Sequence, residues 1–96
     1  MNKGIRYRLY MEDRGTASEL CVSSWWSPHG VTIISANGYW MGNFENTLIV
    51  EICFEDDLYR GIEPAEQIRT FCKHYNEKFE QDCILVTSED IKLEMM

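Results

Sequence analysis

Residues 31–56 read VTIISANGYWMGNFENTLIVEICFED, and the rest of the chain is organised around them. Two runs of strong β-formers flank a segment rich in glycine and asparagine, residues that tolerate positive φ, so the economical reading is a hairpin. In its return run Leu48, Val50, Ile52 and Phe54 alternate with Ile49, Glu51 and Cys53. Period two separates the faces of a strand, which makes the first set the expected core. Tyr39, Trp40 and Phe44 fall where a solvated tip is expected, and rings of that size need a core, a partner chain or a ligand.

Outward from the hairpin the chain carries four further patterns. Residues 5–11 alternate, with Ile5, Tyr7, Leu9 and Met11 opposing Arg6, Arg8 and Tyr10, and this predicts a half-buried strand. Thr16-Ala17-Ser18-Glu19 has capping-box form and predicts a short helix, stopped by Ser27-Pro28-His29-Gly30. Pro64 suits a first helical turn, and Ile68, Phe71, Cys72, Tyr75 and Phe79 make an apolar stripe at helical spacing to residue 79. Residues 83–87 read as a last strand, with 91–96 a short extra strand or a tail. The order is β-α-β-β-α-β, the α+β ferredoxin-like pattern: a four-stranded antiparallel sheet with two helices on one face. In that topology the strands at 5–11 and 47–54 are central neighbours.

With 96 residues the chain is read as a single domain over 1–96, and 45% hydrophobic residues exclude a disordered chain. A formal net charge of −7 opposes non-specific attraction to nucleic acid polymers or anionic lipid, so neither is an expected partner. No apolar signal region or bilayer-length run appears, so the expected location is cytoplasmic. Cys21, Cys53, Cys72 and Cys83 are widely spaced without a C-x-x-C pair or a histidine at finger spacing, which argues against zinc and for small buried hydrophobes.

No constellation points to catalysis. His29 and His74 lack a neighbouring nucleophile, and the carboxylate runs Glu12-Asp13, Glu55-Asp56-Asp57 and Glu89-Asp90 lie in predicted turns without the spacing of a calcium loop. No glycine fingerprint for a phosphate or dinucleotide appears. The remaining chemistry is recognition. Arg6 and Arg8 project from one strand face about 7 Å apart, close enough to share a phosphate-bearing ligand, or else to pair with Glu51 or Glu55 across the sheet. Tyr39 and Trp40 could stack a base and Glu45 could accept from a ribose, or the rings could cap a neighbouring subunit. An RNA-recognition domain is excluded, because the third strand carries Ile49, Glu51 and Cys53 where that fold needs aromatic and basic residues.

Residues 36–52, with Gly38-Tyr39-Trp40-Met41-Gly42-Asn43-Phe44-Glu45 and the return Val50-Glu51-Ile52, resemble the G-Y-W-x-G-x-x-E hairpin of small phage-encoded proteins. That resemblance implies a role in the conflict between phage and host, as in anti-defence sponges that sequester nucleotide immune signals, and a place in the host cytoplasm. The expected function is therefore a non-enzymatic, homo-oligomeric binding protein that captures a small anionic ligand, such as a nucleotide, through Arg6, Arg8, Tyr39, Trp40 and Glu45. No cofactor is expected. The alternative is an acidic inhibitor that covers a basic site on a host defence enzyme.

Overall fold

The alternating runs become the strands of one sheet. In the computed structural model, which describes residues 2–15, 31–56, 63–81, 83–94 and 96, the strands are β1 (Asn2–Glu12), β2 (Val31–Trp40), β3 (Asn43–Glu55) and β4 (Leu85–Leu93). All pairings are antiparallel and the order is β2-β3-β1-β4, so β1 and β3 are the central neighbours. The helix α1 (Pro64–Phe79) has proline in its first turn, as its sequence predicts, and covers one face of the sheet. Period two on β1 and β3 turns Tyr7, Leu9, Met11, Leu48, Val50, Ile52 and Phe54 toward that helix, where all are buried against Ile68, Phe71 and Tyr75. Tyr7 and Phe54 meet edge to face, with ring centroids 5.9 Å apart.

The ferredoxin-like βαββαβ expectation, with two helices on one face, is corrected. Among the described residues the order is β-β-β-α-β, with one helix on the four-stranded sheet. The helix expected from residue 16 lies outside the described residues. A physical difference separates the two helix signals. The stripe of α1 repeats on one side over twelve residues and so names its buried face. A capping box is local, and the pairs Leu20/Ser24, Cys21/Trp25 and Val22/Trp26 start at three successive positions, so they span most of a helical circumference and specify no single face.

Two further boundaries differ from expectation. The hairpin has no long tip: β2 and β3 continue to Trp40 and Asn43, joined by Met41-Gly42 alone. Both turn residues have positive φ, 51° and 83°, as a type I′ turn requires. Tyr39, Trp40, Phe44 and Glu45 are therefore strand residues, paired as Tyr39 with Phe44, Trp40 with Asn43 and Gly38 with Glu45. The glycines and asparagines that suggested a loop stand inside a ladder. At the other edge, Ser88-Glu89-Asp90 resembles a turn but sits mid-strand, paired with Tyr7, Arg6 and Ile5, so one strand, Leu85–Leu93, joins most of the expected strand to the start of the expected tail. An Arg6–Glu89 ion pair across that ladder offsets the low strand propensity of these polar residues.

The β1–β3 ladder is extended at one end by the Asp13 N–H, which donates to the Asn46 carbonyl at 2.7 Å. Beyond that bond β2 and β3 continue as a two-stranded arm. No helix among the described residues is long and apolar enough to cross a membrane.

Candidate functional site

The face of the sheet opposite α1 carries no helix among the described residues, and the three registers fix what it displays. Ile34 pairs with Ile49, Ile49 with Tyr10, and Tyr10 with Leu85. These four side chains form one apolar row across all four strands. Ile34 and Leu85, at its two ends, are 45% and 48% exposed. The next row on the same face holds Thr32, Glu51, Arg8 and Thr87, and the one after it brings Cys53, Arg6 and Glu89 together.

The polar rows are ion-paired. The Arg8 Nε donates to Glu51 at 2.9 Å, and its guanidinium also lies 3.8 Å from Glu89, which bonds Arg6. The Glu51 hydrogen bond holds Arg8 more firmly protonated against the opposing effect of burial, with the charges of Glu51, Glu89 and Tyr10 adding to it. The Arg6 hydrogen bond and charge hold the Glu89 carboxyl below its ordinary range, with Arg8 adding to this. Cys53, beside both arginines, has its thiol pushed up by burial and by Glu51, the arginines opposing. It is therefore a protonated thiol and no activated nucleophile. Arg6 Nε is buried with no hydrogen-bond partner among the described residues.

The five residues expected to form a ligand site do not converge. Arg6 and Arg8 are together, but their donors already engage Glu89 and Glu51. Trp40 and Glu45 share their face but lie on the arm. In the register of β3, Trp40 is eight residues from Arg8, about 26 Å at ~3.3 Å per residue. Tyr39 points to the opposite face, where its ring meets Phe44 edge to face at 5.6 Å. Trp40 instead folds over Gly38: a Cβ there would lie 2.8 Å from the indole Nε1 and 2.4 Å from Thr47 Oγ1. The bare glycine makes room for both the indole and the side chain of Thr47, which is buried. Burial raises the Glu45 carboxyl, Glu12 adds to the rise and Arg14 opposes it.

Glu89 as the arginine partner was not legible in the sequence, whereas Tyr10 and Ile49, the middle of the apolar row, were legible as outward residues of the two central strands. The row was half visible: a two-residue turn at Met41-Gly42 makes Ile34 face Ile49 by counting. The pairing of Leu85 with Tyr10 is non-local and leaves no comparable mark. Of the acidic run 55–57, Glu55 is buried and accepts from Asn2 Nδ2, Asp56 is exposed, and residue 57 lies outside the described residues.

Beside the start of α1, a cavity of about 690 Å³ is lined by Lys3, Lys92, Asp56, Glu63 and Asp90, with Tyr7 in its wall. Burial raises the Tyr7 hydroxyl, with Arg69 lowering and Glu63 raising it further. Its mixed charge selects no one class of ligand. A second, more apolar cavity of about 440 Å³ lies between α1 and β4, where burial pushes the Cys72 thiol up to about 11. Among the described residues no cluster of three His, Cys, Asp or Glu side chains is placed to hold a metal ion, and His74 is exposed on α1. His29 lies outside the described residues.

No family model, curated protein or solved structure matches the chain.

Proposed function

We propose that this protein is a non-enzymatic binding protein whose working surface is the sheet face opposite α1, which no helix among the described residues covers. One observation carries the reading: the exposed apolar row Ile34–Ile49–Tyr10–Leu85, which crosses every strand beside a row of ion pairs. Apolar side chains gathered in a continuous row, rather than scattered singly, mark a surface that gains free energy when covered.

A photo-crosslinking amino acid at Thr32, on this face, should form adducts in expressing cells. The same group at His74, on the exposed side of α1, should form none. Equal labelling from both positions, or none from Thr32, would overturn the reading.

A second reading is favoured by the buried, unpartnered Arg6 Nε beside Arg8. A small anion such as a nucleotide phosphate could be captured there by displacing Glu89 or Glu51 from a guanidinium fork. This is the chemistry a sponge for a nucleotide immune signal needs, with the aromatic arm too far away to stack the base in the same chain. Calorimetric titration with cyclic and ADP-ribose-type nucleotides should give heat with the wild type and none with Arg8→Ala. No heat with either would dismiss this reading.

A further inference from the structure

Resting on the reading of the face opposite α1 as a binding surface, we infer that its occupant is a second copy of this chain, packed sheet on sheet about a two-fold axis parallel to the strands. The registers make the face self-complementary under that operation. A two-fold axis between β1 and β3 lays β2 over the partner's β4 and β3 over the partner's β1, and leaves every row at its own level. Ile34 then meets the partner's Leu85, and Ile49 meets the partner's Tyr10. One row along, Arg8 meets the partner's Glu51, because Arg8 and Glu51 are direct cross-strand partners on the two central strands. An isologous interface makes each such contact twice.

Charge supports the same occupant. The chain carries −7, which opposes contact between copies at random. At the middle of this face, however, Arg6 and Arg8 stand among Glu51 and Glu89, two charges of each sign, so the copies meet there without net repulsion. Arg8 and Glu51 keep 38% and 25% of their side chains exposed, enough to engage a second partner. The extent is also adequate. Nine β1–β4 rungs at ~3.3 Å and four strands at ~4.8 Å give a flat footprint of roughly 550 Å², which side-chain relief brings toward the ~800 Å² per partner of a standard interface. Aligned sheets pack about 10 Å apart and about 30° from parallel, an offset that flexible Arg8 and Tyr10 side chains can span.

The test is native mass spectrometry and analytical ultracentrifugation of the full chain. The wild type should be a dimer. Ile34→Glu and Leu85→Glu, both at exposed positions, should each raise the dimer dissociation constant by about tenfold or more. Arg8→Glu and Glu51→Arg should each be monomeric alone, since each sets like charges against its own copy. Mixed in equal amounts they should form a heterodimer, because both contacts between positions 8 and 51 then set a carboxylate of one variant against a guanidinium of the other. Circular dichroism on each variant checks that it is folded, and the Ile34 and Leu85 variants carry the test if a charge variant is not. A wild type still monomeric at roughly 1 mM overturns the inference. So does a dimer indifferent to both Ile34→Glu and Leu85→Glu, or one that the charge mixture does not restore. A monomer that still gives crosslinks from Thr32 to other molecules would sink the self-pairing alone and leave the binding surface standing.

Discussion

Replacing Ile52 by alanine tests the face assignment on which the surface depends. Ile52 is fully buried on the central strand β3, between Tyr7 on β1 and Val31 on β2. Truncation removes three carbons, worth about 2.4 kcal/mol at ~0.8 kcal/mol per methylene. If about 60 Å³ of the void persists, ~24 cal/mol per Å³ adds about 1.4 kcal/mol. The total, near 4 kcal/mol, is a large part of the roughly 5–14 kcal/mol expected of a chain this long. Urea denaturation should show the midpoint falling by about 2 M at an unchanged slope of ~2 kcal/mol per M. Ile49→Ala is the paired control, three residues away on the other face and half-buried. Measured in the Leu85→Glu background, where this face is unpaired, solvent can fill the space it leaves, so its cost should be half as large or less. Because a slip of one residue exchanges the faces of a strand, equal costs or a reversed order would refute the register and with it the apolar row.

Other consequences can be measured singly. Gly38→Ala should displace the Trp40 indole, since the new Cβ would stand 2.8 Å from Nε1 and 2.4 Å from Thr47 Oγ1. The expected cost is about 1–3 kcal/mol, with a shifted Trp40 indole N–H resonance, and an unmoved resonance would contradict the packing. Met41→Asn should stabilise the hairpin by about 0.5–1 kcal/mol, because asparagine accepts the φ of 51° more readily than methionine in an Asn-Gly type I′ turn. A lowered melting temperature would argue against that turn. Glu89 has its folded-state carboxyl below the usual value of 4.5, so its contribution is complete above that pH and is lost as pH falls through the lowered value. Melting temperature should therefore drop more steeply on acidification in the wild type than in Glu89→Gln, and parallel pH profiles would remove the Arg6–Glu89 pair from the account.

What the sequence disclosed depended on the range of the interaction. The alternation of β1 and β3 and the stripe of α1 are set by which side of one element is buried, and they can be read without knowing the partner. Residues 43–46 and 88–90 could not be read that way. Asn43, Asn46, Ser88 and Asp90 favour turns in isolation, and here ladder bonds to β2 and β1 override that preference. The pairing of Arg8 with Glu51 was within reach as one of two alternatives. Arg6 with Glu89 was not, because a turn was expected where β4 runs. The convergence expected of the arginines and the aromatic arm failed on distance and on parity: Tyr39 and Trp40 are adjacent in sequence and so occupy opposite faces.

The arm formed by β2 and β3 beyond Asn46 has one ladder and no β1 beside it. Its amides are held by a single row of bonds, so they can open without disturbing the core and should exchange with solvent well before those of Leu9 or Val50. The molecule therefore carries two tiers of persistence. Substitutions at Tyr39, Met41 or Phe44, all exposed, would change how long the arm stays closed and what it touches, while the free energy of global unfolding remains with the sheet centre and α1. Sequence change at the tip is thus partly uncoupled from the need to stay folded.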